Sequence, residues 1–382
     1  MNPLISPRRS LVLTVALALL ALPVAGGCPA GDTSCEGDAC AVLPAFLTGT
    51  LPNDVVFSTC GAQRVALVTA GGEGRLLTHA LPSGEAFAST FFAPDGDDGA
   101  SPWAVATTAD GTRAVVSLFG QDAVALVDPC TGQVLDVKTV EGQATPEPVV
   151  VLGDRAFVAF TNIETFSLDG EPPVLRQGTL AVFTIDGDTL VQDELRELPS
   201  CVNPQGLVAH DGDVIVSCSG PLAQGADGGQ QAVADGAIVI GDHVIDAGRS
   251  APATPTVIDG MVIVGSLVDP VILVAELGGD SLREGLRLPG PDVDAVFDTV
   301  AWDQDTALAL QFSADTLHAL KVGRDGTLTL EKSLAVGPGG VAFRGAQAID
   351  VDGDAAVGTV DAVVLLGLSV EIVPLELNGV WK

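Results

Sequence analysis

The chain has 382 residues, with 17 Lys or Arg against 49 Asp or Glu, for a formal charge of −32. A chain this acidic repels nucleic acid and anionic membrane surfaces, which excludes both as partners held by charge. Tyr is absent and aromatic residues make up 4% of the chain, too few for a groove that stacks sugars or single-stranded bases.

The amino terminus has the layout of an export signal. Arg8 and Arg9 supply a basic start, Leu11 to Leu22 an apolar core, and Ala25-Gly26-Gly27 a run of small residues suited to cleavage. About a dozen apolar residues fall short of the roughly 20 that a helix needs to cross a bilayer. Arg8-Arg9-Ser10-Leu11-Val12 also loosely matches a twin-arginine pattern, although a basic start is common to all such signals. The small residues lead directly into Cys28 and resemble the lipobox of bacterial lipoproteins, which implies that Cys28 is lipidated and becomes the mature first residue. The expected division is a signal over 1–27, a flexible Cys-containing tether over 28–50 and a domain over 51–382. Membrane contact is expected through the lipid alone.

From Asp54 on, short alternating runs of Val, Ala, Leu and Thr are bounded by Asp-Gly, Gly-Asp and Pro, the grammar of strands and hairpins. A unit of apolar run, turn and second apolar run returns at intervals of about 48 residues. Its clearest copy runs from Pro102 to Ser117 around Asp110-Gly111 and is followed by Asp122 to Asp128. The corresponding turns fall at Gly61, Gly153-Asp154, Asp211-Gly212, Asp259-Gly260, Asp303-Gln304-Asp305 and Asp352-Gly353-Asp354. A second hairpin usually follows, as at Asp128-Pro129-Cys130-Thr131-Gly132 and Gly323-Arg324-Asp325-Gly326. With about four strands to a unit, the expected fold is all-β, a seven-bladed β-propeller of four-stranded antiparallel blades whose closure leaves no long open edge. A β-solenoid is the alternative, but its rungs are only about 20 to 30 residues long.

The unit around Asp110 resembles the YVTN-type repeats of bacterial surface-layer propellers. Val115-Val116-Ser117 stands where that family has Tyr-Val-Thr, and Val124-Ala125-Leu126-Val127-Asp128 follows. Phe157-Val158-Ala159, Ile215-Val216-Ser217 and Ile263-Val264-Gly265 fit in outline. The resemblance spans roughly residues 51–382 and implies an exported, seven-bladed domain. The family includes binding modules and subunits of quinone-linked dehydrogenases, so it implies fold more than activity.

In a propeller the first strand of each blade starts at one end, here the upper face, and the second strand returns to it. Two loops at that end are much longer than their counterparts. One runs from Asn162 to Gln177 and carries Glu164, Asp169 and Glu171; the other runs from Gly220 to Asp235 and carries Asp227, Gln230 and Gln231. Rising from neighbouring blades, they form the expected recognition rim, because loops carry binding residues at little cost in stability. The starts of the first strands are read at Pro102, Pro148, Pro204 with Gln205, Pro255, and Arg344 with Gln347, which adds Gln205, Arg344 and Gln347 as polar rim candidates.

Of seven cysteines, six remain if Cys28 carries lipid, and three disulfides are then expected in an oxidising compartment. Reflection about the Asp211-Gly212 turn brings Cys201 close to the register of Cys218. Cys60 and Cys130 lie in lower-face turns of adjacent blades, and Cys35 with Cys40 would close a small loop in the tether. Asp350, Asp352 and Asp354, with Asp361 further on, have the alternating carboxylates of a calcium loop, but Gly353 stands at the fourth position rather than the sixth. A hairpin turn explains them without metal, so no cofactor is expected. The four histidines, His79, His210, His243 and His318, form no metal-binding pair, and neither a nucleophile elbow nor a phosphate loop occurs. The reading is a lipid-anchored, monomeric binding or scaffold module of the bacterial envelope, periplasmic or at the outer-membrane surface, with a protein or other envelope partner. The alternative is a subunit or enzyme of a quinone-linked dehydrogenase-like or lactonase-like system.

Overall fold

The computed structural model describes residues 52–81, 83–92, 98–165, 173–225, 230–290, 295–311 and 316–333, together with the strand backbone of 46–47, 334–335, 345–349, 361–366 and 369–375. Strand β1 is Phe46–Leu47, and the first sheet follows as β2 (Pro52–Cys60), β3 (Gln63–Ala70), β4 (Arg75–Ala80) and β5 (Ala86–Phe91). The second is β6 (Pro102–Thr107), β7 (Ala114–Leu118), β8 (Ala123–Asp128) and β9 (Gln133–Thr139). The third sheet begins with β10 (Pro146–Leu152) and β11 (Arg155–Phe160); a small hairpin of β12 (Ile163–Thr165) and β13 (Val174–Leu175) precedes β14 (Thr179–Asp186) and β15 (Thr189–Glu197). The fourth repeats this plan with β16 (Pro204–His210), β17 (Asp213–Cys218), the hairpin β18 (Leu222–Gln224) and β19 (Gln230–Ala232), then β20 (Gly236–Ile240) and β21 (His243–Gly248). The fifth is β22 (Pro252–Ile258), β23 (Met261–Ser266), β24 (Val271–Glu276) and β25 (Arg283–Arg287), and the sixth is β26 (Val296–Ala301), β27 (Thr306–Gln311), β28 (Thr316–Val322) and β29 (Leu328–Ala335). The last strands are β30 (Gly345–Ile349), β31 (Asp361–Leu366) and β32 (Ser369–Leu375).

Each group is an antiparallel meander of four strands in chain order. The fifth and sixth groups are additionally joined by one parallel pair, Thr254 with Asp298. The last group draws its fourth strand from the other end of the chain, since Phe46 and Leu47 pair with Val370 and Ser369. Successive first strands lie side by side, from β2 to β6, β10, β16, β22, β26 and β30, and β30 also lies against β2.

The cores explain the near-continuous apolar runs. Val65, Leu67, Val116 and Ala125 fill the space between the first and second sheets. On the same strands the alternate residues Val115, Val124 and Leu126 face the third sheet, with Phe160 and Phe183. A middle strand buried on both faces has no polar position to spare, whereas successive side chains still alternate between two cores. Similar clusters separate the third from the fourth, the fourth from the fifth and the fifth from the sixth sheets. Where first strands crowd, glycine is required: a Cβ on Gly265 would stand 2.3 Å from the Val296 carbonyl oxygen, and one on Gly206 2.7 Å from Thr254 Cα. The Asp211-Gly212 and Asp259-Gly260 turns have positive φ at both residues, the twist that suits two-residue hairpins.

Two disulfides staple this arrangement. Cys60, at the end of β2, is bonded to Cys130 in the β8–β9 turn, joining the first two sheets, with Cα atoms 5.4 Å apart. Cys201, just before β16, is bonded to Cys218 at the end of β17, with Cα atoms 5.2 Å apart. Cys28, Cys35 and Cys40 lie outside the described residues.

Candidate functional site

The upper face is built on a repeated corner. Pro102, Pro146, Pro204 and Pro252 each open a first strand, where a residue without an N–H loses nothing. The residues before them, Ser101, Thr145, Asn203 and Ala251, all have φ between 40° and 59°. Their carbonyls accept the N–H groups of Phe119, Thr161, Ser219 and Leu267, the residues that follow the second strands. These corners correct the reading of Pro148 and Pro255 as strand starts. Both lie inside their strands, because a register shift between Pro146 and Val149, and another between Pro252 and Pro255, inserts extra residues near each start.

The correction brings Glu147 to the place directly after a corner proline, level with Gln205 of the next sheet. Glu147 is 4% exposed. Its Oε2 accepts a hydrogen bond of 3.3 Å from Gln205 Nε2, which also donates to Asn203 Oδ1 at 3.1 Å. Asn203 Nδ2 donates in turn to Ser219 Oγ at 2.7 Å. The backbone carbonyl of Glu147 accepts from Ser117 Oγ of the preceding sheet at 2.6 Å. Burial pushes the Glu147 carboxyl up to about 7, while the Thr161 hydroxyl and the Gln205 amide draw it back down. Thr161 Oγ1 is itself buried and completes no hydrogen bond of normal geometry. Beyond Thr161, Asn162 Nδ2 donates to Gln143 Oε1 at 2.9 Å and to the Gln177 carbonyl at 3.0 Å. A continuous polar band thus runs from Asn162 through Thr161, Glu147, Gln205 and Asn203 to Ser219. Asn162 and Asn203 hold left-handed backbone, which Asn tolerates better than most residues.

The two hairpins flank this band and are tied down in opposite directions. The β12–β13 hairpin is held toward the second sheet, with Arg176 Nη1 donating to the Gly142 carbonyl at 3.2 Å and the Ile163 N–H donating to Thr145 Oγ1 at 3.1 Å. The β18–β19 hairpin packs Leu222 and Ala232 onto Ala251, Ala253 and Leu267, beside Phe297 of the sixth sheet.

The other rim residues fall as follows. Glu164 is exposed on β12 and ion-paired to Arg176 at 3.2 Å. Gln230 and Gln231 are exposed on β19, in register with Gln224 and Ala223. Gln347 lies on β30 and Asp361 opens β31. Asp169, Glu171, Asp227, Arg344, Asp350, Asp352 and Asp354 lie outside the described residues.

A second, half-buried carboxylate sits on the first sheet. Asp54 Oδ1 and Oδ2 accept from the N–H groups of Val55 and Val105 at 2.8 and 2.9 Å, the latter on the next sheet. Burial again dominates and pushes this carboxyl up to about 7 against those two donors. Asp54 and Glu147 escaped the sequence reading because an acidic residue near a strand end reads as solvated surface. A proline one residue ahead of Glu147 was the only signal.

The histidines are dispersed. His318 is buried between Gln311 Oε1 at 2.8 Å and Ser333 Oγ at 2.9 Å, and burial lowers it to about 4. His79 meets the Gly84 carbonyl at 3.1 Å and is also lowered by burial. His243 meets the Gly279 carbonyl at 2.9 Å, and His210 lies 3.4 Å from Asp211. Among the described residues no group of three or more His, Cys, Asp or Glu is placed to hold a metal ion. The upper face thus presents hydrogen-bonding groups around one enclosed carboxylate.

No family model matches the chain, and no curated protein does. Solved structures do. The WD40 repeats of RRP9 superpose with a TM-score of 0.60 at 12% identity, over 88% of this chain and 98% of that one. The β-propeller domain of Swd1 from Myceliophteria thermophila gives 0.55 at 11% identity, over 87% and 99%. BamB from Moraxella catarrhalis gives 0.52 at 11% identity, over 85% and 86%. At these identities the likeness is one of fold, and the fold is that of a β-propeller.

Proposed function

We propose that the protein is an exported, Cys28-lipidated propeller of seven YVTN-type blades that acts as a binding and scaffold module for a protein partner at the bacterial cell envelope. Blade number is supported by the succession of first strands that returns from β30 to β2. Export is supported by the basic and apolar amino-terminal residues, and by two disulfides of a kind that persists in oxidising compartments. The observation that carries the binding role is the pair of hairpins on adjacent sheets of one face, flanking the polar band of Glu147, Gln205 and Asn203. Inserted loops carried on a rigid scaffold are where binding residues concentrate.

The test is a chain in which 163–175 and 222–232 are each replaced by a short Gly-Ser link. Chemical cross-linking in intact cells followed by affinity purification should recover a partner with the natural chain and lose it with the double replacement. Recovery of the same partner at the same yield from both would overturn the reading. Palmitate labelling that survives Cys28→Ala would overturn the anchor.

A further inference from the structure

The band between the hairpins contains a buried acid with no positive charge to answer it. The ion pairs among the described residues join Arg, Lys or His to Asp136, Glu164, Asp188, Glu194, Asp211, Asp213, Asp259, Glu284 and Asp305, and leave Glu147 out. Its side chain is met only by neutral groups, one of them at the long distance of 3.3 Å. An enclosed carboxylate in such surroundings either keeps its proton or recruits a cation. Thr161 Oγ1 beside it is enclosed and, although near the Glu147 carboxyl, makes no hydrogen bond of normal geometry, whereas hydroxyls in protein interiors are nearly always fully bonded. Two polar groups left incomplete at one spot are what a site looks like before its ligand arrives.

We propose that Glu147, with Thr161, Gln205 and Asn203, seats one guanidinium group of the protein partner at the upper face. This assignment rests on the reading of that face as the recognition surface. A guanidinium brings five N–H donors in a plane, and acceptors come from two adjacent sheets: the carboxylate of Glu147 and the hydroxyl of Thr161 on one, and the amide oxygen of Asn203 on the other, with the Gln205 amide N–H groups bridging Glu147 and Asn203. It is also less strongly hydrated than an ammonium, so it enters an enclosed carboxylate site at lower cost. The flanking hairpins leave the polar band between them, one anchored toward Gly142 and the other on Ala253. The chain's formal charge of −32 steers a basic partner to any part of this surface, but Glu147 gives the arginine one place to stop.

The test uses the full-length chain and acetyl-arginine amide as probe, with acetyl-citrulline amide as the neutral isostere and calcium chloride as a metal control. The readout is the titration of the Glu147 side-chain carboxyl carbon by NMR, assigned through Glu147→Gln. Saturating arginine probe should lower the Glu147 midpoint by about one pH unit or more, equivalent to at least roughly tenfold tighter binding to the ionised form. Citrulline and calcium should leave it in place, and Thr161→Val should weaken the arginine effect without abolishing it. An unchanged midpoint, an equal response to citrulline, or a response to calcium alone would each overturn the assignment. The probe needs no partner, so a null result here leaves the hairpin-replacement experiment free to succeed, and failure of that experiment leaves the seat for arginine measurable by itself.

Discussion

Replacing Glu147 with Gln should make the protein more stable in alkali and leave it nearly unchanged in mild acid. Glu147 titrates near 4.5 in an unfolded chain and is pushed up to about 7 by burial in the folded one. Between those values the folded state holds a proton that the unfolded state has released. Its contribution is complete below pH 4.5 and is lost as pH rises through about 7. At about 1.4 kcal/mol for each pH unit across that window, the loss amounts to about 3 kcal/mol. Gln keeps a carbonyl to accept from Gln205 and carries no charge to bury. The variant should therefore match the natural protein at pH 4.5 and exceed it by up to about 3 kcal/mol at pH 8, or about 6 °C in melting temperature at roughly 2 °C per kcal/mol. Asp54 titrates in an overlapping window in both proteins, so it cancels in the difference. The assay is differential scanning calorimetry of both chains at half-unit steps from pH 4.5 to 8.5. A difference that stays constant across that range would show that Glu147 is ionised at every pH, and the account of its surroundings would fail.

Three further outcomes follow from the packing. Converting Cys60 and Cys130 together to Ala should destabilise the chain by roughly 4 kcal/mol, and converting Cys201 and Cys218 by roughly 3 kcal/mol, because the closed loops differ in length; the separations are 70 and 17 residues, and equal losses by calorimetry would contradict the ordering. Gly265→Ala should cost about 1–3 kcal/mol or more, since its Cβ would stand 2.3 Å from the Val296 carbonyl oxygen, and a neutral effect on melting would refute the close approach of β23 to β26. The His318 ring protons should show no titration in NMR spectra between pH 5.5 and 8, because burial holds that imidazole neutral down to about 4; a midpoint near 6.5 would place it in solvent instead.

Much of the architecture could be read from the residues, for a physical reason. A strand buried on both faces is written as an unbroken apolar run, and Ala123 to Val127 reads that way because its alternate side chains fill two different cores. The Asp-Gly turns announce themselves because two successive positive φ values suit few other pairs. Cys201 and Cys218 could be placed from the turn between them, and Cys60 and Cys130 from the turns they occupy. The strand starts were less legible. Pro146 and Pro148 are equivalent on paper, and only the bulge that follows Pro146 decides which of them opens β10. Glu147, caught between them, looked like surface until the corner turned it inward. Phe46 and Leu47 form too short a strand for any periodicity, and their partner lies at the far end of the chain.

That last pairing links the timing of folding to the direction of synthesis. Of the described strands β1 is made first and β32 last, yet they share hydrogen bonds. The last sheet stays unlatched until β32 has emerged, and a chain that stops before β30 exposes β2 where β30 should lie against it. Such fragments carry a bare strand at each end, the kind of unpaired edge that invites association with other chains.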